Sequence, residues 1–295
     1  MMRPSTTTSR LLGITSQWLD VAVRNLDNAR RIINFLHGRN GFVVRPDDVF
    51  VASYPRSGTT LTQWITYLLA HGDEGDPEHL TQVSPWFERS LAIGDHTSAS
   101  FESFPSPRVF KSHLPRAWLP DGARYIYVER DGQDVLLSYY HLYRNYLGFE
   151  GTLDEFYRRF VRGRVQYGSW FDHVEGWRAH ETDPDILVVR YEELLADRRQ
   201  GVERIATFLD LGAAQEARKR ALTLSSFEAM KAREGLFDHA TALLLERGVR
   251  PRSFIRAGHA GSGEKELTEV QRRAFKETAS TGRPPAIREL AAFLQ

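Results

Sequence analysis

The feature that most constrains this chain is the uninterrupted order of Val49–Ser53, a short apolar strand signal, the turn Tyr54-Pro55-Arg56-Ser57-Gly58-Thr59-Thr60, and the helical stretch Leu61–Ala70. A strand that feeds a tight turn and then a helix opens a parallel α/β unit, because a parallel partner is reached only by crossing over the sheet. The alternation continues. Val109–Lys111, Ala123–Glu129 and Ile186–Arg190 are β-branched or aromatic runs, and helices are predicted after Arg130 through Ser138, over Leu194–Leu209, over Ala213–Leu222 and over Leu267–Thr278. The expectation is an α/β fold: a single domain with a central parallel sheet flanked by helices. Leu19, Val23, Leu26, Ile33 and Leu36 predict one apolar helix face over residues 17–36, stopped by Gly38 and Asn40-Gly41. Residues 1–16 are expected to be a flexible tail, and 17–295 one domain. Residues 71–80 and 94–107 are expected as surface loops, and Trp170, Val174 and Trp177 as a buried helix face.

Charge decides what partners to expect. Lys and Arg total 39 against 38 for Asp and Glu, a net charge of +1. That balance argues against a general nucleic-acid or membrane-surface binder, so any anion site must be a local cluster of cations. With no cysteine, disulfides, thiolate metal sites and cysteine nucleophiles are excluded. No apolar run approaches the ~20 residues of a membrane helix. The chain is expected in the cytoplasm, without a nucleic-acid or membrane partner.

Four segments carry chemistry. A helix start offers unpaired backbone N–H groups and the positive end of the helix dipole, so the turn before Leu61 is a candidate anion site. Gly58 permits close backbone approach, Arg56 adds a permanent charge, and Ser57, Thr59 and Thr60 add hydroxyl donors. It is not a Walker A loop, because no Lys follows Gly58. Lys111-Ser112-His113-Leu114-Pro115 stands at the end of a predicted strand, where ligands gather in open α/β sheets. His113 is a candidate general base there. None of the 10 histidines forms a metal-binding pattern, so no metal is expected. Arg130, at another strand end, and Ser138 on the following helix could reach a second anion. Arg256-Ala257-Gly258-His259-Ala260-Gly261-Ser262-Gly263 suits a phosphate-covering loop, and equally a plain linker.

Taken together, YPRSGTT, KSHLP, YIYVERDGQDVLLSYY, GRVQYGSWFDHVEGW, VVRYEELLAD, SSFEAM and FIRAGHAG resemble, in order and spacing, the cytosolic sulfotransferases that use 3′-phosphoadenosine-5′-phosphosulfate (PAPS). The resemblance runs from about Val49 to Phe275. It implies a P-loop-like 5′-phosphosulfate loop, with Arg56, Ser57, Gly58, Thr59 and Thr60 binding that end of the donor. It also implies that Arg130, Ser138, Arg256 and Gly258 hold the 3′-phosphate, and that Tyr191, Ser225 and Phe227 surround the adenine. His113 would take the acceptor's proton, with Arg56, Lys111 and Ser138 completing the catalytic group. The implied reaction moves a sulfuryl group from PAPS to a hydroxyl of a small-molecule phenol or alcohol, releasing PAP, without a metal. Trp86 and Phe87 would line the acceptor pocket, core packing being an equal account of both.

The chain departs from the family at several positions. Arg56 stands where a Lys is usual, Leu61 where a Trp stacks on adenine, and Ala257 removes one 3′-phosphate charge. The family's dimerisation motif is not intact around Lys265–Arg273, so the resemblance does not extend to its dimer. Two rival readings are a P-loop kinase or NTPase, with Asp131 as a metal ligand, and a catalytically silent nucleotide-binding relative.

Overall fold

A computed structural model describes residues 26–72, 77–210, 212, 215–238 and 261–280. Four strands, β1 (Val49–Ser53), β2 (Val109–Ser112), β3 (Arg124–Glu129) and β4 (Ile186–Arg190), form one sheet in the order β2-β1-β3-β4. Every pairing is parallel, with Val49 opposite both Val109 and Arg124, and Tyr125 opposite Ile186. The strands are apolar through their middles because both faces are covered, with polar residues such as Ser53, Lys111, Arg124, Glu129 and Arg190 towards their ends. Alternate residues serve two cores. Phe50, Phe110, Tyr125 and Tyr127 face an aromatic layer, while Val49, Val51, Val109, Ile126 and Val128 face an aliphatic one. The strand period of two thus divides the molecule into two hydrophobic cores.

Helices close each face. On the aliphatic side lie α2 (Thr59–Ala70), through Trp64, Ile65 and Leu68, and α7 (Arg198–Leu209), through Val202, Ile205 and Leu209. On the aromatic side lie α4 (Gly132–Tyr146), through Val135, Leu136 and Tyr139, and α5 (Trp170–Arg178), whose Trp177 stacks on Tyr127 at 4.7 Å. The expected buried face of α5 is present in Val174 and Trp177. Between them in the chain come α3 (Phe87–Ile93) and α6 (Tyr191–Ala196), and after α7 come α8 (Gln215–Leu224), α9 (Ser262–Glu266) and α10 (Glu269–Ser280).

Three expectations are corrected. The helix α1, described over residues 26–40, continues through Gly38, where a Cβ would lie 2.7 Å from Leu91; the glycine permits close packing and does not stop the helix. Its buried side is Phe35 with the partly buried Ile32 and Leu36, whereas Leu26 and Ile33 are exposed. The run predicted as one helix from Leu194 to Leu209 is two, α6 and α7. Asp197 closes the first and caps the second, its side chain accepting from Gln200 N–H at 2.9 Å. Four residues of the expected loop over 94–107, Ser98–Phe101, form one helical turn with a capping box. The expected tail, residues 1–16, lies outside the described residues.

Candidate active site

In the order β2-β1-β3-β4 the chain reverses direction across the sheet between β1 and β3, and ligands bind outside the carboxyl ends of strands at such a reversal. The loop after β1 and Arg130 after β3 meet there. Arg56 and Gly58 both have positive φ, 72° and 98°, which folds the turn back over the start of α2. Gly58 caps α2 without a side-chain hydrogen bond, and Thr62 N–H makes a bond to Gly58 O. The amides ahead of Thr62 open the helix and point past its first turn. A Cβ on Gly58 would stand 2.3 Å from Cδ2 of Tyr191, so glycine is required for the Tyr191 ring to lie against the turn. The Thr59 hydroxyl is held 2.5 Å from that of Ser53, tying the helix start to the strand.

Arg56 Nε donates to Ser138 Oγ at 3.1 Å, and Arg130 Nη1 donates to the Arg56 carbonyl at 3.0 Å. Arg130 also lies over the Tyr191 ring at 4.7 Å. Arg56, Ser138, Arg130, Tyr191 and the glycine turn are therefore one contiguous group, although the sequence scatters them over three strand–helix junctions. Asp134 completes it. Its buried carboxylate faces Arg130 at 3.4 Å and accepts from Gly261 N–H and Gly263 N–H, both at 2.7 Å. Asp131, the metal ligand of the rival kinase reading, caps α4 by accepting from Gln133 and Asp134 N–H groups. Ser225 is buried, and Phe227 is partly exposed. Trp64 of α2 donates to the Leu224 carbonyl at 3.1 Å, which sets that segment beside the loop helix. Arg256 and Gly258 lie outside the described residues.

At the end of β2, His113 is 5 % exposed and its Nδ1 lies 2.8 Å from the Ser53 carbonyl. A carbonyl only accepts, so Nδ1 carries the proton and Nε2 the basic lone pair. The segment before α3 runs beside β2: Lys111 N–H donates to Pro85 O, and Trp86 bridges to Lys111. This pairing places the Trp86 ring edge-to-face with His113, ring centres 5.0 Å apart, and under Lys111 Nζ at 4.2 Å. Tyr167 packs against both rings. Burial pushes the Lys111 ammonium down to about 7, opposed by Glu88 and reinforced by Arg89 and Arg56. Phe87 does not share this wall. It is fully buried among Phe42, Phe50, Phe101 and Phe110, because one step into α3 turns the side chain by about 100°; of the two accounts the sequence left open for Phe87, its burial fits core packing.

Two residues support the site in ways the sequence reading does not assign; Glu88 enters it only as the end of the stretch Pro85-Trp86-Phe87-Glu88 that could line an acceptor pocket. Glu88 is fully buried, and its Oε1 accepts from Trp86 Nε1–H at 2.6 Å and from His113 N–H at 2.8 Å. Burial raises its carboxyl above the ordinary range. A Glu inside the apolar run Pro85-Trp86-Phe87 was the available signal. His173 is buried, its Nε2–H donates to the His113 carbonyl at 3.1 Å, and burial lowers its imidazole to about 4, so it is neutral. Nothing local in the sequence marks it. Among the described residues no group of three or more His, Cys, Asp or Glu is arranged to hold a metal.

An α/β sheet with an arginine-lined helix start at its reversal point, and a histidine at the adjoining strand end, defines a group transferase that handles an anionic donor. Comparison with known proteins makes the class specific. The sulfotransferase domain matches residues 46–284. Sulfotransferase 2B1 of Mus musculus is 36% identical over 245 residues, covering 79% of this chain and 70% of that protein. Retinol dehydratase, solved with androsterone and inactive cofactor PAP, shares the fold at a TM-score of 0.74 and 24% identity, covering 87% of this chain and 88% of its own. A mouse sulfotransferase complexed with PAP superposes at a TM-score of 0.65 with 25% identity, covering 85% of this chain and 88% of its own. The chain belongs to the sulfotransferase family, and it is an enzyme that uses PAPS as sulfuryl donor.

Proposed function

We propose that this sulfotransferase acts on a hydroxyl of a small phenol or alcohol, with His113 as general base, and that it works in the cytoplasm as one domain over residues 17–295. No described helix is long and apolar enough to cross a membrane. The observation that carries the base assignment is the Nδ1–H bond from His113 to the Ser53 carbonyl, which leaves the lone pair on Nε2. Ser53 is the last residue of β1, so the same backbone that presents Arg56 and Gly58 also orients the base.

Bound PAPS supplies a sulfuryl group on a phosphate leaving group, so the acceptor S–O bond forms as the S–O bond to phosphate breaks and its electron pair leaves with PAP. The residues present fit such a ligand. The turn is bare of a Cβ at Gly58, the amides of the first turn of α2 follow it, and Arg56, Ser57 and Thr60 supply a guanidinium and two hydroxyls within the same seven residues. Arg130 and Ser138, one step further along β3 and α4, suit the second phosphate, with Arg256 and Gly258 proposed to join them. Tyr191, Ser225 and Phe227 suit the base of the nucleotide. Arg56 and Lys111 steady charge on the oxygen that bridges sulfur and phosphorus, and Trp86 forms the acceptor wall. His113 Nε2 receives the acceptor's proton.

His113→Ala tests this. Turnover on an unactivated alcohol should fall ~10²–10⁴-fold while PAP binding is nearly intact, and the loss should be milder for an acidic phenol. Wild-type turnover in a folded His113→Ala protein refutes the assignment. A strict Mg²⁺ requirement would favour the kinase reading.

A further inference from the structure

We propose that Arg89 selects an acceptor that carries an anionic group about one aromatic ring away from the hydroxyl to be sulfated; the inference rests on the acceptor site proposed above. Arg89, the third residue of α3, is half-buried, and its guanidinium carbon lies 5.5 Å from the centre of the Trp86 ring. That same ring touches the rings of His113 and Tyr167 and lies under Lys111 Nζ. Arg89 is thus one ring removed from the proposed base, on the wall the acceptor would use. Its charge is felt inside: after burial, which is the largest cause, and against Glu88, both Arg89 and Arg56 disfavour the charged form of Lys111.

Glu88 acts on Lys111 through its charge, yet among the described residues no carboxylate forms an ion pair with Arg89 or Lys111. Glu88 is the acid nearest in sequence, but its Oε1 is committed to Trp86 Nε1–H and His113 N–H, and burial favours its neutral form. Arg89 forms no ion pair among the described residues, whereas Arg108, Arg116, Arg130 and Arg178 each do. A half-buried guanidinium beside an aromatic wall gains most from a planar carboxylate, sulfonate or phosphate, which accepts two parallel N–H bonds. An ammonium-bearing acceptor would meet Arg89 and Lys111 as like charges. Trp86 and Tyr167, whose rings stand nearly parallel at 19° and 6.3 Å apart, suit a flat ring between the two functional groups.

The test compares 3-(4-hydroxyphenyl)propanoate with its primary amide and with tyramine, at saturating PAPS. Two methylenes insulate the phenol from the substituent, so the three differ at the charge and little at the reacting oxygen. The wild-type kcat/KM should favour the propanoate over the amide by about tenfold, as one charge-assisted contact implies, with tyramine below both. In Arg89→Gln the propanoate-to-amide ratio should collapse towards one, and Arg89→Lys should retain part of it. A wild-type ratio near one, a preference for tyramine, or a ratio preserved in Arg89→Gln overturns the proposal. So does failure to sulfate any of the three while uncharged 2-naphthol is turned over. If 2-naphthol also fails and calorimetry shows no PAP binding, the acceptor reading falls with the donor site beneath it.

Discussion

Two cations flank the proposed reaction centre, and they differ in kind. Arg56 stays charged at every working pH, whereas Lys111 is buried against Trp86 and titrates near neutrality. Its folded-state value, about 7, lies below that of an unfolded lysine, roughly 10.4. The neutral form is therefore favoured by folding. Stability of the ligand-free protein should rise as pH climbs from about 7 towards 10 and should gain nothing from this group below 7. Anion binding pulls the other way. A phosphate beside Lys111 restores its charge, so PAP binding at pH 8 should take up close to one proton and weaken as pH rises further. Calorimetry at pH 8 in buffers of different ionisation heat measures this uptake directly. Uptake that is absent in wild type, or unchanged in Lys111→Met, would remove Lys111 from the donor site.

At the scale of elements, the site depends on a carboxylate that joins two distant parts of the chain. Asp134, in the first turn of α4, accepts from Gly261 and Gly263 just where α9 begins, and the same group faces Arg130. A Cβ on Gly263 would stand 2.6 Å from Gln133 Cβ, so α9 can approach α4 this closely only through glycine. Asp134→Ala removes two buried charge-assisted bonds and leaves two N–H groups without acceptors. It should cost about 2–4 kcal/mol, and hydrogen exchange at the Gly261 and Gly263 amides should accelerate sharply. Full protection of both amides in a stable Asp134→Ala protein would show that other contacts hold α9. This link also marks where sequence reading stops. The turn at Arg56–Gly58, the strand ends bearing Lys111, His113 and Arg130, and the four strands were legible, because a strand, a glycine and a helix start are local signals. Asp134, Glu88 and His173 were not. Each is a polar residue with at least one partner more than twenty positions away, His113 for Glu88 and for His173, Gly261 and Gly263 for Asp134, which no periodicity records. The break at Asp197 was legible in principle, since an Asp ahead of Arg198–Leu209 is an N-cap signal. The fate of Phe87 was not, because adjacent aromatic residues give no indication of which faces the core.

The whole molecule separates the work of binding from the work of holding the sheet together. The site gathers at the carboxyl ends of the strands, while the opposite ends are locked by a buried ion pair. Asp48 and Arg108 immediately precede β1 and β2, and their side chains are fully buried. Arg108 donates from Nε and Nη2 to the two carboxylate oxygens at 2.7 and 2.6 Å, and from Nη2 also to the Val43 carbonyl at 2.7 Å. The backbone repeats the connection: Val49 N–H bonds to Arg108 O, and Arg124 N–H bonds to Asp48 O, so three strands are joined at one point. Removing one partner of a buried pair typically costs about 3–5 kcal/mol, and the half-exposed Glu102, 2.9 Å from Arg108 Nη1, would replace only part of the lost carboxylate. Against a total stability of roughly 5–15 kcal/mol, that is a large fraction. Asp48→Ala should therefore lower the denaturant midpoint steeply, and adding Arg108→Met should recover part of the loss by removing the stranded guanidinium. Because the pair stands at the far end of the sheet, the extra stability conferred by saturating PAP should be the same in Asp48→Ala as in wild type. Urea titrations of the three proteins with and without PAP decide the matter. A normal midpoint in Asp48→Ala would show the pair to be dispensable, and a reduced PAP increment would show that the two ends of the sheet are energetically coupled.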